Sequence, residues 1–330
     1  MKFGSRKKSI FCSLLLAFVA TSASAEGLFS IKAENDWFSL GEDGHYTNGV
    51  EVSWTFTPSE EHWAHRLSNA LPGWASSRLN GMAYRFGQQI YTPNDIGTER
   101  LIKDDRPYAG LLFGGITLLG HDQFEDWSQS SSLYFDVGII GPASGAEEVQ
   151  RSFHDLVAAE EPKGWHYQLN NEPFINLDYE RSWLLQRHLK GWEVVYGPSA
   201  GFALGNLYTF ASTGLGLRVG EGVDRGIGIP AVAPAHSGQP SFQIDHEGFN
   251  WYAFVRLEGR YMAHNLLLDG NTFENSHSVD RREWVGDFQV GGALGWDRWR
   301  VAYTHVWRSD EFTWQKRHGK FGSLTLSTWF

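Results

Sequence analysis

The chain has 330 residues, 42% of them hydrophobic, with a mean hydropathy of −0.35. Its 15 Trp, 12 Tyr and 22 Phe stand against 3 Met and 1 Cys; this composition excludes a disordered chain and favours β structure. A formal charge of −10 with no long basic run argues against a nucleic-acid partner.

Lys2, Arg6, Lys7 and Lys8 precede an apolar run from Ile10 to Ala20, and Ala23-Ser24-Ala25 offers small residues for cleavage. This pattern predicts a secretory signal peptide over residues 1–25. Its removal takes away four basic residues and no acidic one, so the charge becomes −14. Cys12 leaves with it. Residues 26–330 then offer no thiol for a disulfide, a zinc–thiolate site or a nucleophile.

No later segment holds about 18 consecutive apolar residues, which excludes a helical membrane span. Two-residue alternation instead predicts strands at 27–35, 46–56, 81–91, 108–120, 130–140 and 174–186. Six more follow at 192–204, 207–219, 250–264, 282–296, 298–309 and 319–330. Glu34-Asn35-Asp36 and Tyr46-Thr47-Asn48-Gly49 flank the first hairpin loop, with Asp43 and His45 inside it. Oxygen-rich side chains without thiols suit a hard cation such as Ca²⁺. Ordinary turn chemistry is the alternative, since Asn, Asp and Gly favour hairpin loops. Residues 91–95 and 104–110 bracket the next loop, where Arg106 has carboxylates or a polar headgroup as candidate partners. Between the fifth and sixth strands, Ala146, Val149, Phe153, Leu156 and Val157 recur at helical spacing. A helix over 146–159 follows, set off by Gly141, Pro142 and Gly145 before it and Pro162 and Gly164 after. His154 and Gln150 lie one turn apart at the edge of its apolar stripe. The stripe needs a partner, either the barrel rim or a bilayer interface.

Two features decide what the strands build. Their apolar faces often begin and end in Trp or Tyr about ten residues apart, as in a membrane strand with an aromatic girdle at each interface. Trp284, Phe288, Leu294 and Trp296 form one such face, and Trp299, Tyr303 and Trp307 another. The opposite faces carry charges of both signs in mid-strand, such as Arg256, Glu258 and Arg260. A closed barrel lets those charges pair in a polar lumen, whereas an open sandwich would leave edges to protect. The expected fold is therefore all-β, a transmembrane antiparallel barrel of about 12 strands, with a short helix in an extracellular loop. The barrel domain spans 26–330. With both termini periplasmic, 57–80 and 220–249 are unusually long periplasmic segments. The chain ends in an alternating strand closed by Phe330, which looks like an outer-membrane sorting signal read by the assembly machinery.

Soluble hydrolase signatures, including the G-x-S-x-G elbow, the P-loop and H-E-x-x-H, are absent. Instead ENDWF at 34–38, HYTNGVEVSW at 45–54, GQQIYTPNDI at 87–96 and DDRPYAGLLFGG at 104–115 together resemble the outer-membrane lipid A 3-O-deacylases of LpxR type. VGIIGPASGAEEVQRSFHDL at 137–156 and GWHYQLNNEPFINLDYER at 164–181 extend the resemblance. It implies a twelve-stranded barrel that hydrolyses an ester of lipid A in lipopolysaccharide. It also implies an active site of Asn35, Asp36 and Thr47 at the rim with Gln150, His154 and Glu160 on the loop helix, about 146–160. His154 would be the general base, Asn35 and Gln150 would orient it or the water, and Ca²⁺ held by Asp36 and Thr47 would polarise the ester. Lys103 and Arg106 would meet lipid phosphates. Two other readings compete: a phospholipase with a Ser–His–Asn set, using Ser39, Ser144 or Ser152, and a small barrel without enzymatic activity.

Overall fold

The computed structural model describes residues 27–39, 45–71, 79–189, 191–221, 229–232 and 248–330. The expected signal peptide and Asp43 lie outside them. Twelve antiparallel strands form one closed barrel: β1 (Gly27–Asn35), β2 (His45–Phe56), β3 (Leu79–Thr92), β4 (Ala109–Gln123), β5 (Trp127–Ile140) and β6 (Glu172–Leu189). They continue with β7 (Trp192–Gly205), β8 (Tyr208–Glu221), β9 (Phe249–Asn265), β10 (Trp284–Trp296), β11 (Trp299–Arg308) and β12 (Gly319–Trp329). Each strand pairs with its sequence neighbours, and β1 pairs with β12 from Leu28–Trp329 to Asn35–Gly322. Closure leaves no free edge, so every strand's backbone finds a partner.

The alternation resolves into a lipid-facing wall and a lumen. Ile175, Leu257, Leu294 and Trp299 point outward and are exposed, while Asn176, Arg256, Ala293 and Arg300 point inward and are buried. The inward charges pair, as expected. Arg85 reaches Asp136 at 2.5 Å, Thr117 at 2.8 Å and Glu51 at 3.5 Å. On the opposite wall Arg256 bridges Glu180 and Glu258. Arg260 continues from Glu258 at 2.7 Å to Asp287 at 2.9 Å, and Arg308 bonds Asp287 at 2.9 and 3.0 Å. Toward the end away from the termini, inward Tyr46, Tyr91, Phe113, Phe174, Phe210 and Phe321 join one apolar cluster. The lumen is thus filled by ion pairs and rings.

The two long connections at the terminal end have different seats. Residues 63–70 form helix α1 (Trp63–Ala70), which packs Ala64, Leu67 and Leu71 over Phe56, Met82, Leu118 and Leu133. Those four occupy outward positions, yet Met82 and Leu118 are almost wholly buried. So α1 lies on the outer wall. The other connection sends Ile229–Val232 into the lumen. The Val232 amide donates to Gln289 Oε1 at 2.8 Å, and Gln289 Nε2 donates to the Val232 carbonyl at 2.7 Å. Ile229 packs among Leu184, Val195, Tyr252, Phe254 and Ala293.

Candidate active site

Helix α2 (Ala146–Val157) connects β5 to β6 at the end away from the termini. Gly141 and Gly145, both at positive φ, turn the chain into it. It sits directly on the outer wall. A side chain at Gly110 would collide with Ala146 and Ser144, and Gln88 Nε2 donates to the Ser144 carbonyl at 2.7 Å. Ile90, Ile96, Tyr108, Ala146 and Trp165 form the apolar seat.

The helix is inverted relative to a soluble one. Its buried residues are Ala146, Gln150 and His154. Its apolar stripe points away from the protein, with Phe153 49% and Leu156 81% exposed. The wall takes the polar side of the helix and leaves the apolar stripe on the exposed outer surface.

The polar side is organised around His154. After α2 the chain turns through Ala158 at φ 55°, and the Ala159 amide donates to the His154 carbonyl at 2.9 Å. This turn brings the Glu160 main-chain oxygen to 2.5 Å from His154 Nδ1. A carbonyl only accepts, so in the neutral ring Nδ1 carries the proton and Nε2 keeps its lone pair. What Glu160 gives His154 is therefore its carbonyl. Its carboxylate packs instead onto Gly97, where any side chain would collide with it. Gln150, 3% exposed, accepts at Oε1 a hydrogen bond of 2.8 Å from Trp165 Nε1. Its Nε2 is buried without a hydrogen-bond partner among the described residues.

The rim residues gather on β1 and β2. Asn35 pairs with Asn48, its Nδ2 donates to the Thr47 carbonyl at 2.9 Å, and its Oδ1 accepts from the Trp37 amide at 2.8 Å. Asp36 follows, buried in a short 3₁₀ turn. A β-bulge at Thr47 turns its hydroxyl to within 2.7 Å of Thr92 Oγ1, and both threonines are buried. Asn35, Asp36 and Thr47 thus come together on neighbouring strands, while Gln150 and His154 share the helix face packed on the same outer wall.

The basic residues divide. Lys103 is exposed and lines an open cavity of about 540 Å³ with Tyr167, Gln168, Asn170 and His277. Of the two partners expected for Arg106, a carboxylate and a polar headgroup, the structure supplies the carboxylate and hides the side chain from any headgroup. Arg106 is 1% exposed, stacks on the Tyr91 ring at 4.6 Å and faces Glu311 at 3.6 Å, because an interior carboxylate and ring claim its guanidinium. The candidate nucleophilic serines are engaged elsewhere. Ser39 Oγ donates to the Asp36 carbonyl at 2.5 Å, Ser144 Oγ donates to the Gly141 carbonyl at 2.6 Å, and Ser152 lies on the exposed side of α2.

Among the described residues, no three His, Cys, Asp or Glu side chains gather as a metal site. At the rim Asp36 supplies a buried carboxylate and Thr47 and its surroundings supply neutral oxygens, while the nearby buried Glu34 is taken by Lys32 and Tyr46. All-oxygen donors fit a hard cation, and one carboxylate leaves coordination positions for water and substrate oxygens. Thr92 stands in the 91–95 segment that brackets the second loop, whereas Trp165 was not among the expected site residues. Trp165 had a signal, as an indole inside a polar loop segment, GWHYQ.

The comparisons with known proteins agree with the fold. The model of the family "Outer membrane protein LpxR" matches residues 9–330. Among solved structures, LpxR from Salmonella typhimurium superposes with a TM-score of 0.78 at 19% identity, covering 92% of this chain and all of that one. The β domain of the Bordetella autotransporter BrkA gives 0.47 at 7% identity, covering 93% of this chain and all of its own. No curated protein sequence matches. The family match over nearly the whole chain, on a closed twelve-stranded barrel, assigns this protein to the LpxR family of bacterial outer-membrane proteins, the lipid A deacylases whose motifs its sequence carries.

Proposed function

We propose that this protein hydrolyses the 3′-O-linked acyl (acyloxyacyl) ester of lipid A within the outer leaflet, with His154 as general base. The observation that carries the reading is the inverted helix α2: His154 and Gln150 are buried against the barrel wall while the apolar Phe153 and Leu156 are exposed, as a helix seated in the bilayer interface would hold them. A helix built this way sets a basic nitrogen at the depth of an acyl ester, and the lipid stays in its leaflet. Because Nδ1 is bonded to the Glu160 carbonyl, Nε2 is the atom that takes a proton from water. The same bond steadies the ring as it becomes positively charged. Water then attacks the ester carbonyl, and the released oxygen leaves with a proton returned from His154. Asp36 and Thr47 would hold Ca²⁺, which supplies positive charge for the carbonyl oxygen when bound. Asn35 fixes the Thr47 backbone beside Asp36. Lys103 offers a cation to the phosphorylated headgroup. Phe330, exposed at the end of β12, is the contact for the assembly machinery.

The test is mass spectrometry of lipid A from cells expressing the protein, in crude membranes and in detergent, with and without a chelator. Loss of one acyl unit is expected, abolished by His154→Ala and by chelation. An unchanged lipid A mass with Ca²⁺ replete would sink the assignment.

A further inference from the structure

We infer that Trp165 is a positioning residue that commits the Gln150 amide to donate into the reaction site, an inference resting on the function proposed above. Trp165 is fully buried in a 3₁₀ turn (Trp165–Tyr167), wedged between Tyr108 at 5.0 Å and the first residue of α2. Its indole has one polar group, the Nε1–H, and that group only donates. The 2.8 Å contact to Gln150 is therefore satisfied in one amide orientation, with Oε1 toward the indole. The flipped amide would set N–H against N–H in a buried space, which costs the full desolvation of both donors. Fixing Oε1 toward Trp165 turns Nε2 away from it. That NH₂ is buried and has no hydrogen-bond partner among the described residues, an unusual condition for a buried amide. It sits one helical turn before His154 on the same face. Two N–H donors held there without a protein acceptor await an oxygen of the ligand. On a lipid substrate that oxygen belongs to the scissile ester or the hydroxyl beside it.

The chain of constraint runs from wall to substrate. Ile90 and Tyr108 hold the indole, the indole orients Gln150, and Gln150 orients the ester opposite His154 Nε2. Trp165 touches no reacting atom itself.

Trp165→Phe keeps the ring and removes only the N–H. It is expected to lower kcat about tenfold, the effect of one hydrogen bond of ordinary net strength, with KM nearly unchanged. Gln150→Ala should cost at least as much. In the Gln150→Ala background, Trp165→Phe should then cost nothing further. Equal losses in both backgrounds would mean a merely structural role and would overturn the inference, as would full activity in Trp165→Phe. Barrel assembly of each variant is checked by heat-modifiable gel mobility. A second readout is independent of activity: the Trp165 indole N–H resonance, assigned by its loss in Trp165→Phe, should move upfield in Gln150→Ala. An unmoved resonance refutes the contact. If the native protein leaves lipid A unchanged, the proposed function fails, while the resonance still reports on the indole–amide bond.

Discussion

The outward stripe of α2 makes the strongest quantitative demand. Phe153 and Leu156 are 49% and 81% exposed to the protein's surroundings, and replacing both by Ser keeps the His154–Glu160 and Gln150–Trp165 hydrogen bonds while removing the Phe153 ring that lies edge-on to His154 at 6.4 Å. Burying a Leu or Phe side chain completely is worth about 1.5–3 kcal/mol. Scaled by exposure, Leu156 offers the bilayer about 2 kcal/mol and Phe153 about 1 kcal/mol. About 3 kcal/mol of contact with the acyl region disappears in the double variant, which corresponds to roughly a hundredfold at 1.4 kcal/mol per decade. A helix only partly sunk in the leaflet feels part of this, so the expected loss lies between about ten- and a hundredfold. The assay compares two substrates: lipid A in vesicles, and a short-chain acylated analogue kept below its micelle concentration. Activity on vesicles should fall, while activity on the monomeric analogue stays near native. Equal falls on both substrates would show that the serines damaged the catalytic face. Native activity on vesicles would show that the stripe has no bilayer role. Either result refutes the reading of α2 as a membrane-seated catalytic helix.

Four further outcomes follow from other parts of the molecule. Asp287→Ala leaves Arg260 and Arg308 facing each other without their shared carboxylate, and should cost roughly 3–5 kcal/mol, read as a lower temperature for the heat-modified gel shift. Gln289→Leu removes both bonds to Val232 and should raise proteinase K cleavage near residues 229–232 by about ten- to a hundredfold, from about 1–3 kcal/mol of lost hydrogen bonding; unchanged cleavage would remove the lumenal anchor. Burial raises the Asp269 pKa, but bonds from His264, the Asn265 amide and Arg281 outweigh it and hold the carboxyl below its ordinary range. Its contribution is present above the unfolded pKa of about 4 and lost as pH falls through the lower folded value. Protease nicking of the loop at 270–283 should therefore begin only in that acid window, and Asp269→Asn should show it at neutral pH. Ser39→Ala and Ser152→Ala should keep deacylation near native, and loss in either would favour a serine nucleophile.

The strands were legible because each satisfies two environments at once. Apolar and polar residues alternate between lipid and lumen, and every strand lies within three residues of its expected bounds. The ion pairs were legible as a requirement, although not as partners. Arg85 meets Asp136 across 51 positions of chain, a register set by closure of the whole barrel. The helix at 146–157 was visible from its period. Which side it buries was not, since an apolar stripe turns inward in water and outward in lipid. Arg106 shows the opposite difficulty. The sequence left a carboxylate or a headgroup open as its partner, and only the fold shows that Glu311 and the Tyr91 ring hold it. The excess length of 57–80 and 220–249 was plain, whereas their seats were not. One covers lipid-facing Met82 and Leu118 from outside, and the other enters the lumen to meet Gln289.

The division between wall and lumen explains why the proposed site lies outside the barrel. A lumen filled by Arg–carboxylate chains and rings cannot admit a lipid, and its charges are already spent on one another. The outer wall offers what the lumen lacks: direct contact with the leaflet that contains the ester. A bare wall, however, must be apolar to sit in lipid, and an apolar surface has no base. Helix α2 resolves the conflict by covering a patch of wall. Its own apolar side replaces the one it hides, so Gln150 and His154 are held buried between the helix and the wall. The close approach at Gly110 and the Trp165 brace hold the helix tight against that wall. Stability and catalysis are then separable by construction. Substitutions in the lumen should move the unfolding transition and leave kcat alone, and substitutions between α2 and the wall should do the reverse. A lumenal variant such as Asp287→Ala that folds, yet loses deacylation in proportion to its lost stability, would contradict that separation.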